Sequence, residues 1–118
     1  MRTTILKIYN NRTHISDIEI TDQQVRDAIE QYDREYPAND YPRTSSRAHI
    51  KTWLENQKFD FALRYDGKCY PPKYILHLVI AAEQPGLAAH FYGGGDAGNT
   101  NSVLEALGFE VTSKIGCR

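Results

Sequence analysis

The stretch "YDGKCYPPKYILHLVIAAE", residues 65–83, leaves the chain few ways to fold. Asp66-Gly67 is a favoured two-residue hairpin turn, so the residues on either side read as paired strands, with Phe59, Phe61 and Leu63 alternating inward. Pro71 and Pro72 cannot donate to a strand ladder and stop the second strand, while Pro72 suits the first turn of a helix. That helix, about 73–83, carries Tyr74, Ile75, Leu78, Val79 and Ala82, with Leu76 and Ile80 on other faces. A helix apolar nearly all round belongs at the centre of a core.

The remaining elements arrange themselves around this corner. "TTILKIY" (3–9) is rich in β-formers and alternates weakly, so it predicts a strand. A polar stretch separates it from "TDQQVRDAIEQYDREY". There Thr21 and Gln24 form a capping box, Asp22 suits the positive end of the dipole, and Val25, Ala28, Ile29 and Tyr32 share one face. Pro37 and "ANDYPR" break the chain before a second helix, expected from Ser45 or Ser46 to about Gln57 with Ile50, Trp53 and Leu54 buried. "FYGGGDAGNTN" is a glycine-rich loop into a last helix, "SVLEALG", closed by Gly108, before a final strand "FEVTSKI". The order β-α-α-β-β-α-α-β predicts an α+β fold: a small, mainly antiparallel sheet packed with about four helices, one domain over 1–118.

Composition narrows the function. The chain has 118 residues and a net charge of −1, so no global field draws it to nucleic acid and any such binding needs a local patch. No apolar run approaches a membrane span, and the charged start "MRTTILKIYNNR" lacks the apolar region of a signal peptide. Cys69 and Cys117 are too few for a disulfide framework and lack the partners for structural zinc, which makes a reducing cytoplasm the expected setting.

Three segments are candidates for binding an anion. Gly93, Gly94, Gly95 and Gly98 permit close backbone approach, and with Asn99, Thr100 or Asn101 as cap they could aim amides at one anion, although on sequence alone a turn that simply needs glycine is the favoured reading. The loop matches neither a P-loop nor a dinucleotide fingerprint. "YPRTSSRAHIK" holds Arg43, Arg47 and Lys51 with Ser45 and Ser46 and no acidic residue, reading either as phosphate contacts or as capping serines on a solvated helix. Lys73 lies in a first helical turn, where the dipole disfavours a cation unless an anion shares the site. Tyr70 could stack on a base or close the core, and Tyr92 is also available for stacking. Catalysis finds little support, and a small catalytic domain is the least favoured class: the four histidines lack metal spacing, His77 reads as a core residue, no serine sits in a nucleophile elbow, and neither cysteine has an evident base. No cofactor or metal is expected.

Three ordered segments carry a family likeness: "ITDQQVRDAIEQYD", "YDGKCYPPKYILHLVIAA" and "FYGGGDAGNTNSVLEALGFEV". Together they resemble the N-terminal head domain of modification-dependent HNH restriction endonucleases and related bacterial defence proteins, over about residues 20–111. The likeness rests on Gly67-Lys68, Tyr70-Pro71-Pro72-Lys73, Phe91, Gly94-Gly95, Asn101, Leu104 and Leu107-Gly108-Phe109-Glu110-Val111, with Ser46-Arg47 between. The HNH nuclease is absent here, the loop has an extra glycine, and the N-terminal strand has no clear counterpart. The resemblance implies a non-catalytic DNA-recognition module of a restriction or phage-defence system, one that senses modified bases or positions a nuclease domain or subunit. In that reading Arg43, Ser45, Ser46, Arg47, Lys51, Tyr70, Lys73, Tyr92, Gly94, Gly95, Asn99 and Asn101 gather into a cationic groove on duplex DNA. The alternative, suited to a tyrosine-rich and near-neutral surface, is a protein-interaction module, an accessory or inhibitor in phage–host defence.

Overall fold

The computed structural model describes residues 1–41, 53, 60–87 and 90–117. Strands β1 (Thr3–Asn10) and β2 (Thr13–Thr21) pair antiparallel, and α1 (Asp22–Glu35) follows directly. Then come β3 (Phe61–Tyr65), β4 (Lys68–Tyr70), α2 (Pro72–Glu83), α3 (Thr100–Ala106) and β5 (Glu110–Ser113), and the chain closes in a 3-10 turn, Lys114–Cys117. The second sheet is antiparallel in the order β4-β3-β5. The molecule is therefore α+β, with two small antiparallel sheets and three α-helices among the described residues. None of its described helices is long and apolar enough to cross a membrane.

α2 is the centre, as its all-round apolarity predicts. It packs against α1, α3 and β3, and Ile75, Leu76, Leu78, Val79 and Ile80 are all buried. The inner face of the hairpin adds Leu6, Ile8, Ile18 and Ile20, and α1 adds Val25, Ala28, Ile29 and Tyr32. Each such side chain contributes roughly 1.5–3 kcal/mol on burial, which makes this contiguous cluster the main source of stability. The capping box at Thr21 and Gln24 forms as expected. Gly108, at φ +93°, ends α3: its amide reaches the Glu105 carbonyl while that of Phe109 reaches Leu104. This is the paired closure a left-handed C′ residue allows.

Four expectations need correction. The polar stretch after β1 is a strand: Ile18 and Ile20 alternate inward, and Asn11-Arg12 forms the two-residue turn with both φ angles positive. Phe61 is 44% exposed: it shares a face with the buried Leu63 but lies at the end of β3, opposite Ser113, the last residue of β5. The final strand stops at Ser113, and Lys114–Ile115 enter the 3-10 turn. Cys69 and Cys117 are bonded to each other. Arguing from the count of cysteines missed the topology: β3 pairs with both β4 and β5, so the turn after β5 reaches back across the sheet to β4. The expected helix over 45–57 lies outside the described residues, except for Trp53.

Asn39, held at φ +56°, fastens this sheet to α1. Its Oδ1 accepts from the Tyr32 hydroxyl (2.7 Å) and the Trp53 indole N–H (3.0 Å), and its Nδ2 donates to the Cys69 carbonyl (2.8 Å). Two stability outcomes follow. Cys117→Ser opens a link across 48 residues, and loop closure of that length is worth about 4 kcal/mol. Thermal melts should fall for this variant, and equally for the wild type under a thiol reductant. Asn39→Ala removes three hydrogen bonds that tie α1 to β4 and should lower unfolding free energy by about 1–3 kcal/mol in urea titrations.

Candidate nucleic-acid interface

Tyr70 and Lys73 are three residues apart, but the double proline between them sends them to different hollows. Tyr70 is buried, with its hydroxyl donating to both oxygens of Asp33 (3.0 and 3.1 Å) and its ring edge-on to Tyr32. Burial pushes its pKa up and the Asp33 hydrogen bond reinforces the shift, so it remains a protonated donor. Lys68 reaches the same carboxylate at 3.2 Å. The hollow beside them is also lined by Asp27, Glu30 and Asp66. Such an acidic surface repels phosphate, so Tyr70 closes the core rather than offering a face for stacking.

Lys73 lines a second hollow of about 300 Å³ with Tyr9, Asn10, Asn11, Arg12, His90, Phe91 and Tyr92. Three features meet in this groove. Its lining holds two permanent cations and a histidine but no carboxylate. Neither Arg12 nor Lys73 makes an ion pair among the described residues; the Lys73 ammonium instead lies over the Phe91 ring, 5.6 Å from its centroid. Two aromatic rings, Tyr9 and Tyr92, meet at 4.8 Å and are tilted by 56°, with Tyr92 42% exposed.

The groove is assembled from three places in the chain. Pro72 starts α2 and sets Lys73 in its first turn. The segment before the glycine loop lies along the open edge of β1, where the Tyr9 amide donates to the His90 carbonyl (2.8 Å) and brings Phe91 and Tyr92 alongside. The hairpin tip supplies Asn11 and Arg12, with Arg12 at φ +68°. A two-residue turn of this kind favours glycine at that position, and an arginine there carries about 1 kcal/mol or more of backbone strain. His77 stacks near Phe91 (centroids 4.5 Å) one turn along from Lys73. It is therefore a surface residue and not the core histidine expected. Partial desolvation, helped by the charges of Lys73 and His90, lowers its pKa.

Several carbonyls of the glycine loop are used within the fold. The amides of Thr100 and Asn101, the first two of α3, donate to the carbonyls of Tyr92 (2.9 Å) and Gly94 (3.0 Å). Asn99 occupies the cap position without a side-chain cap bond, and Asn101 is buried. The glycines serve the turn: Gly98, at φ +84°, lets the Lys7 side chain pack onto its Cα while its carbonyl accepts from the Lys7 amide (3.0 Å). The expected amide cradle at Gly94, Gly95, Asn99 and Asn101 is thus not formed by the α3 amides. Arg43, Ser45, Ser46, Arg47 and Lys51 lie outside the described residues.

Of the residues picked from sequence, Lys73 and Tyr92 are therefore brought together, and Tyr70 is not. The sequence reading missed Tyr9, Asn10, Asn11, Arg12 and His90. The alternation of Ile18 and Ile20 with Asp17 and Glu19 carried the signal for a second strand, and hence for a turn at Asn11-Arg12. Among the described residues no group of three histidine, cysteine or acidic side chains could hold a metal ion. No protein-family model matches the sequence, and no curated protein or solved structure matches it either.

The electrostatics of the groove can be followed through His77. A folded-state pKa below that of the unfolded chain means the unfolded state binds more protons as pH falls below about 6.5, so stability is full above that value and declines as pH drops through the folded pKa. In proton NMR titrations, Lys73→Ala should move the His77 pKa upward by removing a neighbouring charge.

Proposed function

We propose that the chain is a DNA-binding recognition module without chemistry of its own, gripping the polymer through the Arg12–Lys73 groove. The observation that carries this reading is the coexistence, in one hollow, of two cations free of ion pairs among the described residues, an exposed Tyr92 beside a half-buried Tyr9, and a lining without carboxylates. Cations hold phosphates without reading sequence, while aromatic faces accept any base. The resemblance to endonuclease head domains points the same way, toward a restriction or phage-defence role in which modified bases are sensed or a nuclease is positioned. A cytoplasmic setting goes with that role. The Cys69–Cys117 bond would be open to reduction there, so binding is best measured in both redox states.

Arg12→Gly separates function from folding. Glycine relieves the positive-φ turn, so the melting temperature should hold or rise, while affinity for DNA should fall. Lys73→Ala should also weaken binding, and each variant should reduce the slope of log affinity against log salt by about one. Arg47→Ala tests the sequence-based assignment of the 43–51 segment in the same assay. If the wild type is not retained on DNA at low salt, the proposal fails and the protein-interaction reading takes its place.

A further inference from the structure

We infer that the groove takes one unstacked nucleotide of a single strand and not the backbone of an intact duplex, an inference that rests on the nucleic-acid reading above. Size is the first reason. At about 300 Å³ the hollow is at the small-molecule end of binding pockets, between the hairpin tip on one side and Lys73 with Phe91 and Tyr92 on the other. A single nucleotide fits such a space; a duplex could only lie across its mouth.

The second reason is the chemistry of the lining. Phosphate grip alone needs cations, and aromatic faces add nothing to it, because the bases of a duplex are stacked on one another. Here Tyr92 keeps an exposed ring against the half-buried Tyr9, over a floor that includes the buried Phe91. An unpaired base can lie on that ring while its phosphate meets Arg12 or Lys73. The amides of Asn10 and Asn11, exposed at the hairpin tip, provide donors and acceptors for a base edge.

The third reason is charge. The groove offers two cations, Arg12 and Lys73, rather than the broad positive face that grips a duplex through many phosphates at once. One pocket combining stacking with one or two phosphate contacts does not need such a face.

The test compares a short fluorescein-labelled oligothymidylate with a duplex of equal length by fluorescence anisotropy at low salt. The single strand should bind at least tenfold more tightly. Tyr92→Ala should cost about tenfold on the single strand and Tyr92→Phe should keep the affinity, since stacking uses the ring and not the hydroxyl. Melting curves confirm that the variants are folded. Equal or tighter binding of the duplex, or an unchanged affinity in folded Tyr92→Ala, overturns this inference and leaves the nucleic-acid reading standing. Failure of both probes to bind overturns both.

Discussion

The constraint on which the architecture depends is the pair Pro71-Pro72. One proline would end β4; the second also starts α2, because its fixed φ and missing N–H suit a first helical turn. With no residue to spare between strand and helix, the sheet and the central helix are locked in one relative direction. α2 then touches α1, α3 and β3 together, so a change in its exit angle would disturb every layer of the core. The same corner separates two neighbouring side chains, placing Tyr70 against Asp33 and Lys73 in the groove.

Seven of the eight tyrosines divide into an interior and a surface group, while Tyr65 packs on Phe109. Tyr32 and Tyr70 sit in the core because Asn39 and Asp33 satisfy their hydroxyls, and Tyr36, Tyr41 and Tyr74 pack beside them. Tyr41 and Tyr74 stack at 3.9 Å. A buried tyrosine without a partner would be costly, so these few polar groups decide how many tyrosines the interior holds. Tyr9 and Tyr92 are left at the surface, next to cations rather than carboxylates. Composition alone could not divide these two populations, since the partners lie on other elements.

Where the signal was local, the fold could be read from the sequence. The capping box at Thr21, the Asp66-Gly67 turn, the apolar circumference of α2 and the Gly108 stop each involve residues within a few positions of one another. What escaped was non-local or locally ambiguous. β2 is exposed over its first half, Thr13–Asp17, so its alternation shows only at Ile18 and Ile20. The Cys69–Cys117 bond depends on β3 bridging two strands 40 residues apart in the chain, which no spacing rule reports. Half of the groove escaped for the same reason: Lys73 and Tyr92 stood out by their local context, whereas Arg12 becomes relevant only once the hairpin folds back over the start of α2.

A molecule near electrical balance can still present a sharply local field. α1 cancels much of its own charge through Arg26–Asp22 and Arg34–Glu30 pairs, and Lys68 is taken up by Asp33. Exposed pairs of this kind add little stability, but they leave those cations unavailable to a ligand. Arg12 and Lys73 have no such partner among the described residues; Lys73 lies over the Phe91 ring, and no carboxylate lines the groove they share. At physiological ionic strength exposed charges are screened beyond about 8 Å, so an anion in the groove responds mainly to the charges that line it. A net charge of −1 therefore does not count against anion binding at this groove.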